Sequence, residues 1–194
     1  SIAKYFLENK VHVLLEKPMT KLVSEARKLN VIAKKNRCIL QIGHLEQFNP
    51  AIRKLKCQLK APEFIEVHRL CEFNPRATDV DVVLDLMIHD IDIVLSLIDK
   101  NIKKISVSGK KVITNLIDIA NVRMEFEDNV VANLTASRIS TKNERKMRIF
   151  LKNAYYSVDF MGNELKRLMK KKNGSFKSTS FQFKKSDSLN EEIK

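Results

Sequence analysis

A chain of 194 residues, 44% apolar and 30% charged, has the balance of a folded globular protein rather than a disordered one. Its longest apolar run, residues 82–98, is interrupted by Asp85, His89, Asp90 and Asp92 and falls short of the roughly 20 residues a membrane span needs; with no secretory or transit peptide in view, a cytoplasmic protein free of the membrane is expected. The net charge of +13 invites a nucleic-acid reading, but the lysines are spread along the whole chain without interleaved aromatics, so nucleic acid is not an expected partner.

In chain order, Ile2–Glu8 reads as the closing turns of a helix, with Ile2, Ala3, Phe6 and Leu7 on one face. Residues 11–15 are almost wholly apolar, as in a parallel strand covered on both faces. Pro18 follows, and Thr20 is placed to cap a helix over 21–35, where Leu22, Val23, Ala26, Leu29 and Ala33 recur at helical spacing. Residues 38–42 form a second buried strand, ended by Gly43, which completes a βαβ unit. Pro50 suits the first turn of a helix running to Leu59. Residues 63–73 alternate as a half-exposed strand, 74–78 form a loop, and 82–98 form the longest helix. Beyond Lys100 the pattern predicts strands over 102–112, 117–127, 130–139, 146–152, 155–160, 164–170 and 178–183. Asp128-Asn129, Gly162-Asn163 and Asn173-Gly174 mark turns between them.

The expected fold class is therefore α/β. Residues 1–43 read as the end of a Rossmann-like parallel α/β domain, too small to bury a core alone. Residues 44–194 read as an α+β domain with a large, mostly antiparallel open sheet, truncated before its last element closes. Cys38, Cys57 and Cys71 have no C-x-x-C spacing, so free thiols and no zinc site are expected.

Three constellations could carry chemistry. Glu16-Lys17-Pro18 stands at the carboxyl end of the first strand, where ligands of open α/β sheets bind; an ordinary charged turn is the alternative. Asp85, His89 and Asp92 are spaced by four and three, which places them on one helical stripe where a carboxylate can support an imidazole in acid–base work. A polar stripe at a domain interface is the alternative, and a metal site would need ligands that no further cluster supplies. In the third, Gly43 lets the backbone turn, so that His44, Glu46, Gln47 and Asn49 emerge at the sheet edge near Lys17; the alternative is a polar linker. His12 and His68 fall in strand patterns and read as structural.

Taken in order, the three segments resemble the glucose–fructose oxidoreductase/inositol dehydrogenase (Gfo/Idh/MocA) family. Its Glu-Lys-Pro motif matches Glu16-Lys17-Pro18, and its Asp-x3-His helix motif matches Asp85 and His89. The segments Gly43–Pro50 and Val83–Asp92 are similar to the nucleotide-sugar branch, which includes UDP-N-acetylglucosamine 3-dehydrogenases. Gln47 stands where that branch usually has Arg, which turns a charge contact into at most a hydrogen bond. No G-x-G-x-x-G is present; the resemblance expects that loop, with about a hundred residues, ahead of Ser1, so the chain reads as a fragment.

The resemblance implies an NAD- or NADP-dependent oxidation of a secondary alcohol on a sugar or nucleotide sugar. His89 would take the hydroxyl proton, Asp85 would orient His89, and Lys17 would polarise the reacting oxygen. Glu16, Lys17, Pro18 and Gln41 would neighbour the cofactor, and His44, Asn49 and Arg76 would contact the substrate. An open sheet over 102–183, with Val131 and Phe150 on its uncovered face, implies a homo-oligomer joined through that face. The competing reading is a non-catalytic remnant that serves as a sugar-binding or dimerisation module.

Overall fold

The computed structural model describes residues 1–75, 79–184 and 188–193. Arg76 lies outside them. The chain divides into two compact units, Ser1–Leu45 and Glu46–Lys194.

The first unit contains helix α1 (Ile2–Glu8), strand β1 (Val13–Glu16), helix α2 (Val23–Lys35) and strand β2 (Leu40–Gly43). β1 and β2 pair in parallel, from Val13 opposite Leu40 to Glu16 opposite Gly43. Ala3 and Leu7 of α1 meet Leu29 and Ala33 of α2, and Val13, Leu15 and Leu40 pack against them. Both helices lie on that one face of the pair. Alternation turns Leu14 to the other face of the pair, where it is 46% exposed. Thr20 does not cap α2. Its hydroxyl donates to the Leu22 carbonyl at 2.8 Å, and the helix begins later, with Leu22 in the capping position. Lys34 and Lys35 in the last turn complement the helix dipole.

A 3-10 turn at Leu45–Phe48 spans the boundary between the units, and helix α3 (Pro50–Gln58) follows in the second. Asn49 caps α3 by accepting from the Ala51 amide at 2.9 Å, with Pro50 at the first helical position. Strand β3 (Phe64–Leu70) leads to a π-helical turn (Val83–Met87) that runs into helix α4 (Ile88–Leu97). The single α-helix expected over 82–98 is thus two pieces of different pitch.

Seven further strands follow: β4 (Ile102–Lys110), β5 (Ile119–Phe126), β6 (Val131–Ser137), β7 (Glu144–Leu151), β8 (Ala154–Asp159), β9 (Glu164–Lys170) and β10 (Phe176–Gln182), and then helix α5 (Ser188–Ile193). They join β3 in one sheet of order β10-β9-β8-β7-β3-β6-β5-β4. Each neighbouring pair is antiparallel except β3 with β6.

Burial in β3 alternates with a period of two, so Ile65 and Val67 face inward, joined by Leu134, Met147, Ile149, Val158 and Leu165 from neighbouring strands. Ile52 and Leu55 of α3 and Met87, Ile93 and Val94 of the π turn and α4 close the core from the other side. Each such side chain contributes about 1.5–3 kcal/mol by leaving water. At the sheet's margin β4 is exposed along its whole length, and Lys103, Lys104 and Lys110 guard that edge against pairing with other chains.

Candidate active site

In the first unit, Glu16 ends β1 and Lys17 follows it, so both stand at the strand's carboxyl end. The Lys17–Pro18 peptide is cis. Glu16 lies opposite Gly43 in the pair, and its carboxylate lies across the glycine. A Cβ at position 43 would come within 3.1 Å of Glu16 Cδ and Oε2. Gly43 is therefore demanded by the close approach of a neighbouring side chain; its φ is not left-handed, and the turn expected there is not the reason for it. Gln41 is exposed on the same face, opposite Leu14, while Ile42 and Leu15 turn the other way. His44 follows β2, half-buried, its amide donating to the Ile42 carbonyl at 2.9 Å.

Three members of the polar cluster expected after β2 make contacts within the second unit. Glu46 accepts from Arg69 Nη1 at 3.3 Å, Gln47 donates to Asp92 Oδ2 and accepts from Lys56, and Asn49 caps α3.

Asp85 sits in the π turn, and His89 in the first turn of α4. The turn is held from three sides. Asp81 Oδ1 accepts from the Val83 and Leu84 amides at 3.0 Å each. The Val82 amide donates to the Ile117 carbonyl at 3.0 Å. Arg138, itself buried, donates through Nη2 to the Val80 carbonyl at 2.7 Å. The π turn carries Asp85 and runs into the helix that carries His89 and Asp92, and Asp92 turns to Gln47. Single π turns inside helices are rare and concentrate at functional sites. Among the described residues no group of His, Cys, Asp and Glu is arranged to hold a metal ion.

Next to His89, Asp90 is 1% exposed and meets Arg69, 3% exposed. The contact is bidentate: Nε lies 3.0 and 2.9 Å from the two carboxylate oxygens and Nη2 lies 2.8 Å from Oδ1. The Phe160 ring stands 5.7 Å from the guanidinium carbon. Burial pulls the Arg69 pKa down, but the Asp90 and Glu46 carboxylates outweigh it and hold the group charged. Burial likewise pushes the Asp90 carboxyl up, against the pull of Arg69. Sequence reasoning missed this pair. The signal was present: Arg69 keeps phase with Ile65 and Val67, the inward positions of β3, and a cation there requires a counter-charge.

Cys71, just past β3, feels four charges. Burial and then Asp85 push its thiol up, against Arg145, Arg138 and Arg69, which leaves it protonated and a poor nucleophile. Close by, Asp118 ties the loop between β4 and β5. Its Oδ2 accepts from the Val112, Ile113 and Thr114 amides at 2.8–2.9 Å, and its Oδ1 accepts from the Thr114 hydroxyl at 2.6 Å.

Comparison with known proteins places this arrangement. Residues 1–44 match the family model described as an oxidoreductase family with an NAD-binding Rossmann fold. Residues 53–157 match the GFO/IDH/MocA C-terminal domain. The UDP-N-acetylglucosamine 3-dehydrogenase of Acidithiobacillus ferrooxidans is 39% identical over 85% of this chain and 53% of its own length. A solved structure of that enzyme superposes with a TM-score of 0.90 at 36% identity, covering 99% of this chain and 62% of that one. An inositol dehydrogenase homologue of Azotobacter vinelandii, complexed with NADH and myo-inositol, shares the fold at a TM-score of 0.81 and 19% identity, over 92% of this chain and 52% of its own. The chain thus spans about half the length of the curated 3-dehydrogenase it matches.

Proposed function

The chain belongs to the GFO/IDH/MocA family of oxidoreductases, and from that premise we propose that it forms the catalytic portion of a nicotinamide-dependent dehydrogenase acting on a secondary alcohol of a nucleotide sugar. The observation that carries the proposal is the 39% identity to a UDP-N-acetylglucosamine 3-dehydrogenase over 85% of the chain. That similarity makes UDP-N-acetylglucosamine the favoured substrate. Asp85, in a π turn held from three sides, and His89, in the first turn of the helix that follows, support a catalytic role.

The first unit suits NAD or NADP. Its parallel strand pair presents Glu16, Lys17 and Pro18 at the carboxyl end, with Gln41 and the side-chain-free Gly43 on the open face. A nicotinamide held there would supply the acceptor for the hydride that leaves the carbinol carbon. His89 removes the hydroxyl proton, and Asp85 steadies the imidazole in its protonated form. Lys17 supplies a cation beside the developing alkoxide. Glu16 and Gln41 serve the cofactor; His44 and Asn49 are assigned to the sugar, Asn49 through the part of its amide not spent on capping α3. Arg76 keeps its sequence-based assignment to the substrate. The active protein is cytoplasmic and a homo-oligomer joined through the sheet's outer face, where Phe64, Phe150 and Tyr155 stack at 5.8 and 5.1 Å between ring centres and Phe150 is 38% exposed. No helix among the described residues is long and apolar enough to cross a membrane.

The decisive experiment is His89→Ala in the full-length protein, with UDP-N-acetylglucosamine and either dinucleotide. We expect kcat to fall about 10²–10⁴-fold. NADH affinity should hold within about twofold, because dinucleotide phosphates are held by a Rossmann helix terminus and not by α4. Lys17→Ala should impair both turnover and cofactor affinity. Full turnover in His89→Ala would remove the proton-transfer role from this helix.

A further inference from the structure

We propose that Arg145 is the cation that receives the diphosphate of the nucleotide-sugar substrate. The inference rests on the nucleotide-sugar reading above and deepens it by naming a specificity-determining residue.

The placement follows from register. Arg145 stands directly opposite Arg69 across the β3–β7 pair, and directly opposed residues project from the same face of a sheet. Arg69 meets α4 on that face. Within β7, Arg145 also keeps phase with the core residues Met147 and Ile149. Its side chain therefore belongs to the helix-bearing face. Yet Arg145 is the second residue of β7, near the strand's end, and it is exposed.

The surroundings are those of the candidate active site. The Asp90 carboxyl, one residue from His89, feels Arg145, and the Cys71 thiol feels Arg145 together with Asp85. One end of the sheet thus gathers Asp85, Asp90, Arg69, Arg138 and Arg145.

Most of the nearby acids are spoken for. Asp90 is taken bidentately by Arg69, which Glu46 also contacts. Glu144 pairs with Lys142 and His68. Among the described residues no carboxylate forms an ion pair or hydrogen bond with the Arg145 guanidinium. Arg69 and Arg138 are buried and committed to Asp90 and to the Val80 carbonyl. Arg145 is the guanidinium of this group that solvent can reach.

An exposed guanidinium on the helix-bearing face, at the sheet end that gathers Asp85 and Asp90, suits a substrate whose reacting ring is neutral and whose anionic group is attached to that ring. A guanidinium fork matches phosphate oxygens bidentately, which a lysine cannot reproduce. The phosphates of the dinucleotide are the province of the Rossmann part of the protein, so the anion left for the second unit is the diphosphate of the sugar nucleotide.

The experiment compares wild type, Arg145→Ala, Arg145→Lys and Lys177→Ala in the full-length protein. Lys177 is an exposed lysine of β10 and controls for net charge. Calorimetric titration with UDP-N-acetylglucosamine and with UDP gives affinity, and steady-state kinetics with NAD and NADP give turnover. Losing one charge-assisted contact of about 1.5–3 kcal/mol corresponds to a roughly 10–100-fold weaker Kd for both ligands in Arg145→Ala. KM should rise in parallel and kcat should fall much less; Arg145→Lys should recover part of the affinity, and Lys177→Ala should behave as wild type.

If wild type turns over the nucleotide sugar while Arg145→Ala binds it within twofold of wild type, the role of Arg145 is overturned and the dehydrogenase reading stands. If wild type binds the nucleotide sugar, loses it on Arg145→Ala and yet reduces no nicotinamide, the dehydrogenase reading falls and the role of Arg145 stands. A wild-type protein without affinity for either UDP ligand overturns both.

Discussion

Replacing Arg69 by Met removes the cation from a pair that is otherwise almost free of water. Asp90 keeps its burial, 1% exposed, and loses three hydrogen-bonding contacts of 2.8–3.0 Å. Breaking a buried pair from one side costs about 3–5 kcal/mol, because the remaining charge is left uncompensated. With a urea dependence of about 2 kcal/mol per M, the unfolding midpoint should fall by roughly 1.5–2.5 M. The double variant Arg69→Met/Asp90→Leu carries no orphaned charge in the pair and should recover to within about 1 kcal/mol of wild type. Glu46 loses its contact as well, but its side chain retains 18% exposure and can be hydrated. The single variant also carries a pH signature. An Asp90 without its cation has a folded-state pKa above its unfolded one, so the native state binds more protons and stability declines as pH rises from about 4 toward neutrality. The deficit of Arg69→Met should therefore be smallest near pH 4. Urea melts of the four proteins of the cycle, each at pH 4.5 and 7.5, measure all of this. A double variant as unstable as Arg69→Met, or a deficit that grows as pH falls, would refute the reasoning.

Asp118 is the second point of leverage. Against its burial, the Thr114 hydroxyl and the amides of Thr114, Val112 and Ile113 hold its carboxyl well below the usual carboxylate range. The stabilisation is fully present above the unfolded value near ~4 and is lost as pH falls below it. Asp118→Asn, which keeps an acceptor and loses the charge, should cost about 1–2 kcal/mol at pH 7 and flatten the acid limb of a stability-versus-pH curve; an unchanged limb would sink the assignment. Gly43→Ala pushes a Cβ to 3.1 Å from the Glu16 carboxylate. That end of the side chain is movable, so stability should drop by less than about 1 kcal/mol, while KM for the dinucleotide rises; unchanged dinucleotide kinetics would separate Glu16 from the cofactor. Phe150→Glu on the sheet's outer face should shift full-length protein toward smaller species in sedimentation, and a distribution like that of wild type would place the interface elsewhere.

Much of the fold was legible because it is written in local periodicity. The first helix, Ile2–Glu8, and the strand Glu164–Lys170 were read from the sequence with the bounds they have, and the other strands differ mainly at their ends. The turn pairs Asp128-Asn129 and Gly162-Asn163 do contain residues with positive φ, as the hairpin reading requires. Three features escaped because their causes are not periodic. The π turn at Val83–Met87 changes backbone register without changing the apolar pattern, so residues 82–98 read as one helix. Thr20 had the chemistry of a cap but stood too early to serve as one. Gly43 does sit in a tight turn, with the His44 amide on the Ile42 carbonyl, but what demands a glycine there is the side chain of another strand, which no sequence window shows.

The candidate site shows the same division in a sharper form. Spacing drew attention to Asp85 and His89, but what holds their helix in place comes from far along the chain. Arg69 lies 21 residues before Asp90, and Gln47 lies 45 residues before the Asp92 it binds. Arg138 lies 58 residues beyond the Val80 carbonyl it holds. None of these separations leaves a trace in a sequence window. Within the polar run 46–49, the acid and the amide of Glu46 and Gln47 are the inner ends of such contacts, to Arg69 and Asp92. Glu46 and Gln47 are held by these contacts, whereas the π turn and its solvent margin carry polar groups on the reading proposed above. Arg145 is ordinary by spacing, and only its register opposite Arg69 sets it, exposed, on the helix-bearing face, which is why the proposal for the diphosphate rests on it rather than on the neutral Gln47.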